Sequence, residues 1–164
     1  MGVAGVGKST IAEALSKALQ WPYAEGDTFH PPANVAKMSK GLALTDGDRW
    51  PWLSELASWI GVQEKRNSNC LVTCSALRVA YRDALRVGHP SVWFVHLVAP
   101  RDVVENRISG RIGHFMPLSL LTSQIEALEP LGRTEPGVVI PATEPTDLVV
   151  RRICSAMRDD GLLG

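Results

Sequence analysis

The stretch Gly2–Ser9 reads G-V-A-G-V-G-K-S and fits the pattern G-x-x-x-x-G-K-[ST]. Its glycines let successive backbone N–H groups turn inward as an anion nest. The helix that follows directs its positive end at the same spot. Gly2, Val3, Ala4, Gly5, Val6, Gly7, Lys8, Ser9 and Thr10 are therefore the expected nucleotide-binding loop. In such a loop the Lys8 ammonium reaches the β- and γ-phosphates of a nucleoside triphosphate and the Ser9 hydroxyl ligates Mg²⁺. The loop belongs between a buried strand and a helix. The helix is legible, because Ile11, Ala14, Leu15, Ala18 and Leu19 recur at helical spacing after Lys8. The strand is not, because only Met1 precedes the loop. The expectation is that the natural protein begins several residues upstream with an apolar strand, or that another segment fills the slot.

Beyond the loop, strand and helix signals alternate. "WPYAEGD", "NCLVTCSAL", "SVWFVHLVAP" and "GVVIPA" read as strands. "PPANVAKMSKG" reads as a short helix with Pro at its start and Gly past its end. Trp52–Lys65, "VAYRDALRVG", "RDVVENRISGRIG", "LSLLTSQIEALE" and Asp147–Asp160 are the other expected helices. Alternation of this kind implies an α/β fold: a three-layer, phosphate-loop type parallel sheet with helices on both faces. A chain of 164 residues without repeat or linker is read as one domain, 1–164, with a small helical lid at about 107–130.

Composition narrows the partners. Seventeen basic residues balance seventeen acidic ones, so no electrostatic footprint for nucleic acid or an anionic membrane is present. No apolar run is long enough to span a bilayer, and the N-terminus lacks the pattern of a signal peptide. Cys70, Cys74 and Cys154 are an odd number without a metal-binding spacing. Reduced thiols in a cytoplasmic protein are the plain reading.

The residues around Asp27 carry more specific information. Gly26–Leu53 reads GDTFHPPANVAKMSKGLALTDGDRWPWL, Cys74–Arg86 reads CSALRVAYRDALR, and Arg111–Glu129 reads RIGHFMPLSLLTSQIEALE. These blocks resemble the gluconate kinase family in its short phosphate-loop form, and the resemblance runs from Gly2 to about Glu129. It implies the reaction ATP + D-gluconate → ADP + 6-phospho-D-gluconate, with Mg²⁺ as cofactor. Members of the family often form homodimers. The sequence departs from the family pattern at four places. Glu25 replaces an Asp, with a longer reach that keeps a water-mediated Mg²⁺ role open. Ala43 replaces a Pro, Arg78 replaces a Lys, and Pro141 stands where an acidic residue is usual.

The chemistry assigns candidates. A carboxylate substrate calls for a guanidinium fork, and Arg49, Arg78 and Arg82 are available. Asp27 is the candidate to orient the attacking hydroxyl or act as base, and His30 to bond the polyol. Arg107 and Arg111 flank a Gly-containing segment suited to a lid that supplies positive charge to the transferring group. Each has a plainer rival. Asp27 could cap a turn, and His30 could be a turn residue. Arg49 could pair with Asp46 or Asp48, and Arg82 with Asp83. Arg107 and Arg111 could be solvated surface. Two other functions remain open: a shikimate-kinase-like enzyme, and a non-catalytic nucleotide-binding remnant.

Overall fold

Short apolar runs become strands, as buried parallel strands require, and the period-3.6 runs between them become helices. The computed structural model describes residues 1–110 and 118–163. The strands are β1 (Tyr23–Ala24), β2 (Leu71–Val72), β3 (Phe94–Val98) and β4 (Gly137–Pro141). The helices are α1 (Lys8–Leu19), α2 (Pro32–Ser39), α3 (Asp46–Lys65), α4 (Val79–Arg86), α5 (Arg101–Ser109), α6 (Leu118–Ala127) and α7 (Thr146–Asp159). A 3₁₀ turn, Gly26–Phe29, follows β1. No described helix is long and apolar enough to cross a membrane.

The strands form two parallel pairs. β1 pairs with β2 from Tyr23↔Leu71 to Ala24↔Val72, and β3 pairs with β4 from Phe94↔Gly137 to Val98↔Pro141. Met1 and Gly2 are the backbone link between the pairs. The Met1 amine donates to the Val95 carbonyl. Leu97 N–H donates to the Met1 carbonyl at 3.0 Å, and Gly2 N–H donates to the Ser75 carbonyl at 3.1 Å. The rest of the central slot is a cleft of about 650 Å³, lined by Ile11, Leu15, Val72, Phe94, Val95 and Ile153 among others. The expectation that another segment fills this slot is corrected: among the described residues none does.

Two cores lie on opposite faces, as a parallel sheet clad by helices requires. On one, Ile11 and Leu15 of α1 meet Leu97, Ile140, Val149, Ile153 and Met157. On the other, Trp52, Leu53, Leu56 and Ile60 of α3 meet Tyr81, Leu85 and Phe94. Phe94 and Leu97 are an odd number of residues apart on β3 and so point to opposite cores. α3 starts six residues before the expected Trp52. Thr45 accepts from the Asp48 N–H while the Asp48 carboxylate accepts from the Thr45 N–H, a capping box that opens the helix at Asp46.

Candidate active site

The loop takes the conformation its glycines permit. Gly2, Gly5 and Gly7 have φ of 132°, 77° and 112°, a region closed to most side chains. α1 begins directly at Lys8, so its free N–H groups face the loop's interior. The Lys8 ammonium folds back across the loop and donates to the carbonyls of Gly2 and Val3, both at 3.0 Å. That geometry keeps the charge at the mouth of the nest.

Next to the loop, β1 ends at Ala24 and delivers Glu25, Gly26 and Asp27 in succession. Gly26 must be glycine: a Cβ there would lie 1.8 Å from the Thr73 carbonyl oxygen. This close contact sets Glu25 on the side of Ser9 and leaves Asp27 exposed in the 3₁₀ turn. Glu25 accepts hydrogen bonds from Tyr23 Oη at 2.5 Å and from Thr73 Oγ1. Burial by itself would raise its carboxyl, but hydrogen bonds from Ser9, Thr73 and Tyr23 and the charge of Lys8 outweigh that and hold it below the ordinary range. Ser9 and an ionised Glu25 form a pair of hard oxygen donors, the chemistry that suits Mg²⁺ together with phosphate oxygens. The residues present therefore fit the cation.

Asp27, His30 and Arg49 share one face. The His30 ring stacks on Trp52, with centroids 4.2 Å apart, and Trp52 in turn donates to the Gly26 carbonyl at 2.7 Å. Burial lowers the His30 pKa, and the ring feels opposing charges from Asp27 and Arg49. Arg49 projects from the first turn of α3 and lies 5.7 Å from the centre of the Tyr81 ring. Its expected rivals are occupied. Asp46 is taken by Arg78, at 2.8 Å, and by Tyr81 Oη. Asp48 is taken by Lys37, at 2.6 Å, and by the Thr45 cap, which bring its carboxyl down to about 2. Among the described side chains no carboxylate pairs with Arg49.

Two arginines behave otherwise than expected. Arg82 is corrected from substrate contact to framework. It is fully buried, its Nε and Nη2 grip the Glu135 carboxylate at 2.5 and 2.9 Å, and its remaining donors meet the carbonyls of Ala76, Glu129 and Pro130. No donor is left for a ligand. Arg78 is committed to Asp46 by two hydrogen bonds. Arg107 stands beside the loop and donates to the carbonyls of Val6, at 3.0 Å, and Ala142, at 2.6 Å, which ties the loop to the residue after β4. Arg111 lies outside the described residues. One contact escaped the sequence reading: Gln124 of α6 accepts from the Ala4 N–H at 2.7 Å. A lone Gln on a helix carries no signal that it will meet a loop 120 positions away.

No family model matches the chain. Individual proteins do. The chain is 43% identical over 153 residues to the gluconokinase of Gluconobacter oxydans, covering 93% of this chain and 86% of that protein. It is 39% identical to the thermoresistant gluconokinase of Escherichia coli, covering 92% and 86%. A solved gluconokinase from Sinorhizobium meliloti superposes with a TM-score of 0.82 at 41% identity, over 97% of this chain and 89% of that one. A shikimate kinase from Aquifex aeolicus superposes with a TM-score of 0.60 at 18% identity, which speaks for the fold alone.

Proposed function

The chain belongs to the gluconokinase family, and we propose that it moves the γ-phosphoryl group of ATP to the 6-hydroxyl of D-gluconate with the following division of labour. The observation that carries this reading is Arg49: a guanidinium without a carboxylate partner among the described residues, on the same face as His30 and Asp27. A carboxylate at one end of a polyol is the partner it lacks, and the fork geometry of Arg suits it. With the substrate carboxylate held at Arg49 and its hydroxyls bonded by His30, the far hydroxyl lies toward Asp27. Asp27 orients that hydroxyl and accepts its proton as the oxygen attacks phosphorus. The nest of Gly2–Thr10 holds the phosphates, and Lys8 leaves the Gly2 and Val3 carbonyls to follow the charge on the transferring group. Ser9, and Glu25 through water, would hold Mg²⁺, which when bound would supply positive charge to the phosphates. Arg107 holds the loop in shape.

The test is steady-state kinetics with gluconate and with shikimate as control. Arg49→Ala raises the gluconate KM about tenfold or more, the value of a lost charge-assisted bond, and moves the ATP KM little. Equal effects on both constants, or turnover of shikimate in place of gluconate, would refute the assignment.

A further inference from the structure

Glu25 is one methylene longer than Asp and has one more torsion to fix. The structure shows what fixes it. Tyr23 belongs to β1 and Thr73 follows β2, and the two strands are joined in register, with Thr73 N–H donating to the Ala24 carbonyl at 3.1 Å. Their hydroxyls therefore start from a rigid base. Tyr23 Oη binds one carboxylate oxygen of Glu25 and Thr73 Oγ1 binds the other. The Thr73 hydroxyl also accepts from the Gly26 N–H at 3.0 Å, so its own proton is directed at Glu25. Ser9 meets the same carboxylate.

We propose that Tyr23 and Thr73 are positioning residues that clamp Glu25 against Ser9, so that a longer carboxylate presents a fixed acceptor to the water shell of the nucleotide-bound divalent cation. This rests on the reading of Ser9 and Glu25 as the cation side of the nucleotide site. Groups that orient a metal-side carboxylate alter metal affinity without touching the metal. The clamp acts on cation affinity and leaves the nest's grip on the phosphates alone, since neither hydroxyl lies in the loop.

The experiment is calorimetric titration of ADP into the full chain, with and without Mg²⁺. The readout is the factor by which Mg²⁺ tightens ADP. Tyr23→Phe and Thr73→Val each reduce that factor about tenfold, with ADP affinity in the absence of Mg²⁺ unchanged. Thr73→Ser, which keeps the hydroxyl, restores it. In a Glu25→Gln background Tyr23→Phe has no further effect, because the group it holds is already disabled. An unchanged factor in Tyr23→Phe overturns the proposal. So does an equal loss without Mg²⁺, or a further loss in the Glu25→Gln background. Absence of any Mg²⁺ effect in the parent protein overturns the cation-site reading itself, and the proposal with it. Should Thr73→Val fail to fold because Gly26 N–H loses its acceptor, the Tyr23→Phe arm decides alone.

Discussion

Replacing Arg82 by Met separates a structural residue from a substrate contact more sharply than any other change. The side chain is fully buried and binds four groups: the Glu135 carboxylate and the carbonyls of Ala76, Glu129 and Pro130. These join α4 to Ala76 before it and to the segment between α6 and β4. Met has similar bulk and no donors, so the change leaves a carboxylate and three carbonyls without their partner. Removing one member of a buried ion pair costs about 3–5 kcal/mol. For a domain of this size each kcal/mol lowers Tm by roughly 2–4 °C, so Tm falls by about 6–20 °C. The assay is a thermal melt with gluconate and ATP kinetics below the transition. The folded fraction keeps a near-normal gluconate KM. The double variant Arg82→Met/Glu135→Leu recovers part of the loss, because no charge is then stranded. An unshifted Tm with a gluconate KM raised about tenfold would refute the framework role and return Arg82 to the site. The pH dependence points the same way. The Arg82 hydrogen bond is the main cause that holds the Glu135 carboxyl below 4.5. A depressed carboxylate contributes stability above its unfolded pKa and loses it as pH falls through its folded one. The parent protein therefore gives up this contribution below about pH 4.5, and the double variant does not.

Other outcomes follow from the same geometry. His96 is buried with neither ring nitrogen bonded, and burial first, then the Met1 ammonium and Arg82, bring its pKa down to about 4. Its unfolded form takes up a proton between pH 6.5 and 4 that the folded form refuses, so stability falls over that window by about 3 kcal/mol; urea melts of His96→Leu show a smaller fall there, what remains coming from the Met1 amine, which burial brings down to about 5, and from the Glu135 carboxylate, and an equal fall in the variant would remove His96 as the cause. Lys8→Ala lowers kcat about a hundredfold or more with a Tm near that of the parent; near-normal kcat would take the loop out of the mechanism. A designed extension of five β-branched residues ahead of Met1 enters the cleft between β2 and β3 and raises Tm. Each buried side chain contributes about 1.5–3 kcal/mol against roughly 1–2 kcal/mol for ordering a residue, and new ladder bonds add to the gain. A Lys/Glu extension is the control, and equal melts for the two would show that the cleft does not accept a strand.

Much of the fold was legible because its signals are local. The glycines and Lys8 of the loop, the helical period of Ile11–Leu19, and the apolar runs of β3 and β4 each carry their meaning within a dozen residues. The start of α3 is written in Thr45-x-x-Asp48, ahead of the apolar period that begins at Trp52, and Pro51 lies inside the helix. The candidate site divides along the same line. Asp27 and His30 follow from their place after β1, and Arg49 from its place in the block around it.

The sequence alone determined the nucleotide loop, the α/β order and the family. Those depend on residue types at short fixed spacings, which backbone sterics and periodicity translate directly into local geometry. Which arginine is free was a matter for the tertiary structure. Arg49, Arg78 and Arg82 are chemically equal in sequence, and only the packing of α3, α4 and the 129–135 segment hands Asp46 to Arg78, Glu135 to Arg82, and no described carboxylate to Arg49. Long-range pairing, as between Arg82 and Glu135 or Tyr23, Glu25 and Thr73, is set by how strands and helices stack. A side chain's partner 50 positions away leaves no trace in its own neighbourhood.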